Sequence, residues 1–218
     1  KIFKKNDYIL GKNVDFFETK FAKFCGVKYA IGCANGTDAL TIALKVLNLP
    51  KGSEVIILAM TYCSTAFSII NAKLVPVVLD IDFLKPTINL ENIKEKITKK
   101  TKVIMPVHLY GSVVDIKSIK KMIKNKNILI IDDCSQAHGA KLKNKVVGSL
   151  ADISCFSLYP GKNLGGYGDA GIITTNNNKL YKKIKNFRNL GSDIKFIHNQ
   201  IGFNSRLDTI QASILIRK

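Results

Sequence analysis

Two rhythms of apolar residues alternate along this chain. Short apolar runs at residues 28–33, 54–59, 74–79, 102–107, 128–131, 153–158 and 171–175 read as β-strands. The run at 54–59 is continuously apolar, as expected of a strand buried on both faces of a parallel sheet. Between these runs the apolar positions fall three and four apart, which predicts helices over 14–24, 35–47, 66–73, 89–97, 114–123, 178–190 and 207–217. In the second of these, Leu40, Ala43, Leu44 and Leu47 form one stripe, and Asn35 and Thr37 are helix-start residues. Strand and helix alternate at short spacing with no internal repeat and no low-complexity linker. The pattern therefore predicts an α/β fold with a doubly wound, mostly parallel sheet.

Chemistry-bearing residues gather where predicted strands hand over to helices, the edge at which open α/β sheets bind ligands. The helix starting at Asn35-Gly36-Thr37 offers free N–H groups and the positive end of a dipole, a seat for phosphate, although an ordinary N-cap has the same look. Tyr62 follows a strand and could stack on a flat ring or simply pack. Asp132 and Asp133 end a strand. Successive strand residues point to opposite faces, so one of the two faces a site. His108 and His138 also fall at strand ends, where local hydrogen bonding is the plainer reading. Lys162 lies in Tyr159-Pro-Gly-Lys-Asn-Leu-Gly-Gly-Tyr-Gly-Asp-Ala-Gly171, a turn rich in small and apolar residues. A lysine held in a crowded apolar turn loses hydration of its charge and becomes a nucleophilic amine, as a Schiff base requires, whereas a solvated surface turn would leave it inert.

Gly166-x-Gly168-x-x-Gly171 has the spacing of a dinucleotide fingerprint but precedes a strand rather than a helix. Lys162 lacks the flanking residues of a phosphate-binding P-loop. The three histidines and five cysteines show no metal-ligand spacing.

The 218 residues, 46% hydrophobic and 23% charged, suit a soluble globular chain with no membrane-spanning run. Five cysteines without a C-x-x-C pair point to reduced thiols and a cytoplasmic protein. The net charge of +18 comes from lysine-rich helix faces with little aromatic interleaving. That argues against nucleic acid and leaves room for a small anionic substrate. The chain starts without Met and stops inside an amphipathic helix, so it reads as a fragment.

Taken in order, several segments resemble the DegT/DnrJ/EryC1/StrS family of pyridoxal-phosphate-dependent sugar aminotransferases. They are Tyr8-Ile-Leu-Gly11 with Phe17-Glu18, Asn35-Gly-Thr-Asp-Ala-Leu40, Pro106-Val-His-Leu-Tyr-Gly111, Asp132-Asp-Cys-Ser-Gln-Ala-His-Gly139, Phe156-Ser-Leu-Tyr-Pro-Gly-Lys-Asn-Leu-Gly165 with Gly168-Asp169, and Asn204-Ser-Arg-Leu-Asp208 with Gln211-Ala212. The resemblance implies the large, fold-type-I domain over residues 1–218, without the C-terminal small domain. It implies pyridoxal 5'-phosphate as cofactor and Lys162 as the lysine that binds it and shuttles a proton. Asp133 would hold the pyridine nitrogen protonated, and Gln136 would contact the ring's phenolic oxygen. Tyr62 would lie on a ring face, and Gly36, Thr37 and Ser157 would bind the phosphate. Asn204 matches the residue that completes that phosphate site from a neighbouring subunit, which implies a homodimer. Asp132 stands where the family more often has Glu. The implied reaction moves an amino group from glutamate to a nucleotide-linked keto sugar, with a dTDP-3-oxo-6-deoxyhexose as the nearest match and C4 amination of a UDP- or dTDP-4-keto sugar as the alternative. Relatives that are dehydratases carry histidine in place of the lysine, and Lys162 argues against that branch. A non-catalytic cofactor-binding regulator is the rival of a different class.

Overall fold

In the computed structural model, which describes residues 6–81, 90–124 and 126–218, the apolar runs become strands and the periodic stretches become helices. In chain order the elements are α1 (Lys12–Cys25), β1 (Tyr29–Cys33), α2 (Gly36–Lys45), β2 (Glu54–Leu58), α3 (Cys63–Asn71), β3 (Val75–Leu79), α4 (Leu90–Lys96), β4 (Thr101–Ile104), α5 (Ile116–Met122), β5 (Leu129–Asp133), β6 (Lys141–Leu142), β7 (Lys145–Val146), β8 (Ile153–Ser157), β9 (Gly171–Thr175), α6 (Asn178–Phe187) and α7 (Thr209–Leu215). The expected start of the fourth helix at Asn89 lies outside the described residues. Two helices begin later than their apolar pattern suggested. Asp115 caps α5 by accepting the Ser118 N–H at 3.1 Å, and Asp208 takes the N-cap position of α7. The small β6–β7 hairpin, with Lys143 at φ 55°, had no signal in the apolar pattern.

Seven strands form one sheet in the order β1-β9-β8-β5-β4-β2-β3. β2 runs parallel to β3 and β4, β4 to β5, and β5 to β8. β9 is antiparallel to both its neighbours, β1 and β8. The connection from β8 through the Lys162 turn to β9 contains no helix to carry a parallel crossover, and the two strands pair antiparallel.

Alternate residues of the central strands feed opposite faces. Val55 and Ile57 of β2 pack with Val103, Ile131 and Ile173 against α2. Ile56 and Leu58 pack with Ile104 and Ile130 against Ile93 of α4 and Ile119 of α5. A third cluster sets Phe17 and Phe21 of α1 against Phe156, Ile172 and Leu215 of α7. Each such fully buried aliphatic or aromatic side chain contributes roughly 1.5–3 kcal/mol of transfer free energy. β3 is an edge strand, and it leaves Val75 and Val78 exposed. The four central parallel strands end at one edge of the sheet. The loops after them, the N-terminus of α2 and the Lys162 turn converge there.

Candidate active site

A cavity of about 470 Å³ opens at that edge, and seven residues singled out in the sequence line it: Gly36, Thr37, Tyr62, Asp133, Gln136, Ser157 and Lys162. Asn204 does not line it. It is exposed, in a segment bridged to Asn189. Ser205 anchors that segment by accepting the Ala34 N–H at 3.1 Å, next to the start of α2.

The anion seat follows from helix geometry. Asn35 caps α2 by accepting the Asp38 N–H at 2.8 Å. The N–H groups of Gly36 and Thr37 have no intrahelical acceptor and mark the positive end of the helix. Gly36 is needed for close approach: a Cβ there would stand 2.6 Å from the Ser157 Cβ. Helix end and strand end are therefore pressed together into one wall. Thr37 Oγ1 donates to Ser64 Oγ at 2.8 Å, and the Ser157 N–H donates to Ser135 Oγ at 3.0 Å.

Asp133 ends β5 with 6% of its surface exposed. One carboxylate oxygen accepts the Ser135 N–H at 3.0 Å, and the other accepts the Thr65 hydroxyl at 3.3 Å. No ion pair among the described residues involves Asp133. A buried carboxylate with two neutral donors is costly unless a cation joins it. A protonated pyridine nitrogen in the adjoining cavity is such a cation. Gln136 Oε1 accepts the Tyr110 N–H at 2.8 Å, which leaves its NH2 group as the free end. An anion seat, an unpaired carboxylate and an amine thus share one space, and this donor set fits pyridoxal phosphate.

Lys162 departs from expectation. The amine belongs to a half-buried side chain between exposed Gly161 and Asn163, not to a crowded apolar turn. The small residues turn inward elsewhere: a Cβ on Gly165 would lie 2.5 Å from the Pro160 carbonyl oxygen, and the Tyr167 N–H donates to Gln211 Oε1 at 2.8 Å. Lys162 lines the cavity together with Tyr159 and Asp169.

Neither strand-end histidine lines this cavity. His108 is fully buried and pairs with Asp132 at 3.0 Å. Its Nδ1 accepts the Val114 N–H at 3.0 Å. Cys134 lies close enough that the three side chains place one ligand atom each within 4.8 Å, a grouping the sequence spacing did not signal. Because Nδ1 is an acceptor, Nε2 carries the ring proton and has no lone pair for a metal. Burial, chiefly, also pushes the Cys134 thiol well above its ordinary value. His138 lines a second cavity of about 640 Å³ with Phe21, Phe24, Asn163 and Leu164, behind the Lys162 turn.

Thr61, Ser64, Thr65 and Ser135 join the site without having been singled out. The four-residue spacing of Thr61 and Thr65, whose hydroxyls meet at 2.8 Å, was a readable hint. The 68-residue separation of Thr65 from Asp133 was not.

The family model of DegT/DnrJ/EryC1/StrS aminotransferases matches residues 1–218. The chain belongs to this family. Among its relatives is the dTDP-3-amino-3,6-dideoxy-alpha-D-galactopyranose transaminase of Aneurinibacillus thermoaerophilus, 46% identical over 215 residues, which cover 99% of this chain and 59% of that protein. Another is the pleiotropic regulatory protein of Geobacillus stearothermophilus, 41% identical over 215 residues, 99% of this chain and 58% of that protein. The solved structure of S. venezuelae DesV in complex with a ketimine intermediate superposes with a TM-score of 0.96 at 34% identity, covering 99% of this chain and 58% of that one. The DegT-family chain thus spans a little under three-fifths of the length of these relatives.

Proposed function

We propose that this chain is the cofactor-binding part of a pyridoxal-phosphate-dependent aminotransferase. The enzyme transfers an amino group from glutamate to a nucleotide-linked keto sugar of the dTDP-3-oxo-6-deoxyhexose class. One observation carries the reading: Lys162 and the unpaired carboxylate of Asp133 line the same cavity as the α2 anion seat. The transaminase relative named for a dTDP-3-amino sugar supports the substrate class.

When bound, pyridoxal phosphate supplies a reactive carbonyl carbon and an electron-withdrawing ring. The chain's own residues then have separate tasks. The N–H groups of Gly36 and Thr37 and the Ser157 hydroxyl bind the phosphate. Asp133 keeps a proton on the pyridine nitrogen, and Thr65 and Ser135 hold its two oxygens in place. The Gln136 amide donates to the phenolic oxygen. Tyr62, 70% exposed at the cavity mouth, covers a ring face. Lys162 Nζ would hold the cofactor at its carbonyl carbon and, once released as the free amine, would take and return the proton of the substrate carbon. Asn204, exposed and not part of the lining of its own cavity, suits a role in the cavity of a second copy, and so a homodimer. The five free thiols, four of them buried, are in keeping with a cytoplasmic location. No helix among the described residues is long and apolar enough to cross a membrane.

Borohydride treatment of the protein loaded with pyridoxal phosphate should fix the cofactor on Lys162, and Lys162→Ala should abolish the label. Label on another lysine would overturn the assignment. The relative named as a regulatory protein motivates one rival, a cofactor-binding regulator. A screen of dTDP- and UDP-linked 3-keto and 4-keto sugars against glutamate decides between them. Production of 2-oxoglutarate with a 3-keto substrate supports the aminotransferase. Labelling of Lys162 without turnover of any keto sugar supports the regulator.

A further inference from the structure

Two of the cavity's contacts with the proposed cofactor, Asp133 and Gln136, are held by one loop, residues 106–114. At its start the Asp133 N–H donates to the Pro106 carbonyl at 2.9 Å, and the His108 N–H donates to the Asp133 carbonyl at 3.0 Å. At its tip the Tyr110 N–H donates to Gln136 Oε1, which sets the direction of the amide. The tip is a strained one. Tyr110 has φ 52° and Gly111 φ 82°, two consecutive left-handed residues of which only one is glycine. Such a conformation persists only where the surroundings over-determine it. Tyr110 itself is 74% exposed, so its own side chain does not hold it.

The side chain that closes the loop is His108. Its Nδ1 accepts from the Val114 N–H at the far end of the loop, and its Nε2–H donates to Asp132 Oδ2 on β5. Both members of the pair are fully buried on the face of β5 opposite the cavity. Asp132 Oδ1 has no partner, so this carboxylate relies on the histidine. A buried, half-satisfied polar pair is a poor device for stability, since apolar residues of similar shape would serve as well or better. It does fix geometry, because one ring with one tautomer fits one arrangement of strand and loop.

We propose that His108 is a positioning residue: through Asp132 and Val114 it locks the 106–114 loop and thereby sets where Asp133 and the Gln136 amide stand in the cavity. This rests on the cofactor reading given above. It predicts a specific split between stability and site geometry. In the double variant His108→Phe with Asp132→Leu, both buried polar partners are replaced by apolar groups of similar size. Urea denaturation should show a loss no larger than that of one buried N–H, the Val114 amide, left without its acceptor. Affinity of the apoprotein for pyridoxal phosphate should nevertheless weaken by about tenfold or more. The pH at which the bound cofactor's visible absorption changes should also shift, because the groups facing the ring nitrogen and phenolic oxygen have moved.

A readout independent of the cofactor is amide exchange of the apoprotein. The Tyr110 and Val114 N–H groups should exchange slowly in the wild type and rapidly in the double variant. If the double variant does not fold, His108→Gln can place its NH2 group toward Asp132 while only methylene carbon replaces Nδ1 beside the Val114 N–H. It should release the Val114 amide and weaken cofactor binding by a smaller factor. Unchanged affinity, absorption profile and amide protection in a folded variant would overturn the positioning role. A wild type that binds no pyridoxal phosphate, with both amides protected and the variant's released, would instead remove the cofactor reading and leave the loop lock standing.

Discussion

Replacing His138 by phenylalanine should flatten the acid side of the stability profile. The imidazole lies behind the Lys162 turn, its ring 5.3 Å from that of Phe156. Neither ring nitrogen has a hydrogen-bond partner. Burial pushes its pKa from 6.5 down to about 4, partly offset by the Ser157 backbone nearby and reinforced by the Lys162 charge. The sign follows from linkage. Below the unfolded value the denatured chain takes up a proton that the native site refuses. Stability is therefore fully present above about pH 6.5, declines as pH falls through the window, and levels off below about pH 4. A depression of this size corresponds to about 3 kcal/mol across the window, of which about 2 kcal/mol is lost between about pH 7.5 and about pH 5. Phenylalanine keeps the ring contact with Phe156 and cannot titrate. Urea denaturation of apoprotein at the two pH values should show the wild type losing about 2 kcal/mol more than His138→Phe. Parallel losses in the two proteins would refute the reasoning, since they would mean that the native site accepts the proton as readily as water does.

Gly36→Ala should weaken pyridoxal phosphate binding, because the new Cβ would meet Ser157 at 2.6 Å and prise the helix end off β8. A fluorescence titration reads the affinity, and the accompanying stability loss should be about 1–3 kcal/mol. Glu18→Ala should destabilise by about 3–5 kcal/mol in urea denaturation. The change strips the buried guanidinium of Arg188 of its carboxylate and the Gly32 N–H of its acceptor. Asp133→Asn should still bind pyridoxal phosphate but lose turnover in a glutamate half-reaction, because the neutral amide no longer favours a proton on the pyridine nitrogen. A near-normal rate would show that the nitrogen is governed by another group.

The course of the chain was legible from its local pattern. Strand and helix periodicities differ, and each is dictated by neighbours within a few residues, so all seven sheet strands and the helix opening at Asn35-Gly36-Thr37 could be read directly. The helix start itself is equally local: Asn35 accepts the Asp38 N–H, and the first N–H groups of the helix are left free. Lys162 was legible as a residue but not in its setting. The turn's glycines looked like crowding around the amine, yet they pack against the Pro160 carbonyl and Gln211, and the lysine is half-buried between exposed neighbours.

The alternation of strand residues left open which adjacent acid faces the cavity; the resemblance implied Asp133, and tertiary structure alone decided what each one touches. Asp133 meets Thr65 across 68 residues, and Asp132 meets His108 across 24. It alone placed Asn204 outside the cavity that Gly36 and Thr37 line. It also set β9 against the direction of its neighbours. These are contacts between segments distant along the chain. Their selection rests on how three apolar clusters pack on the two faces of one sheet, a balance that no short window of residues contains.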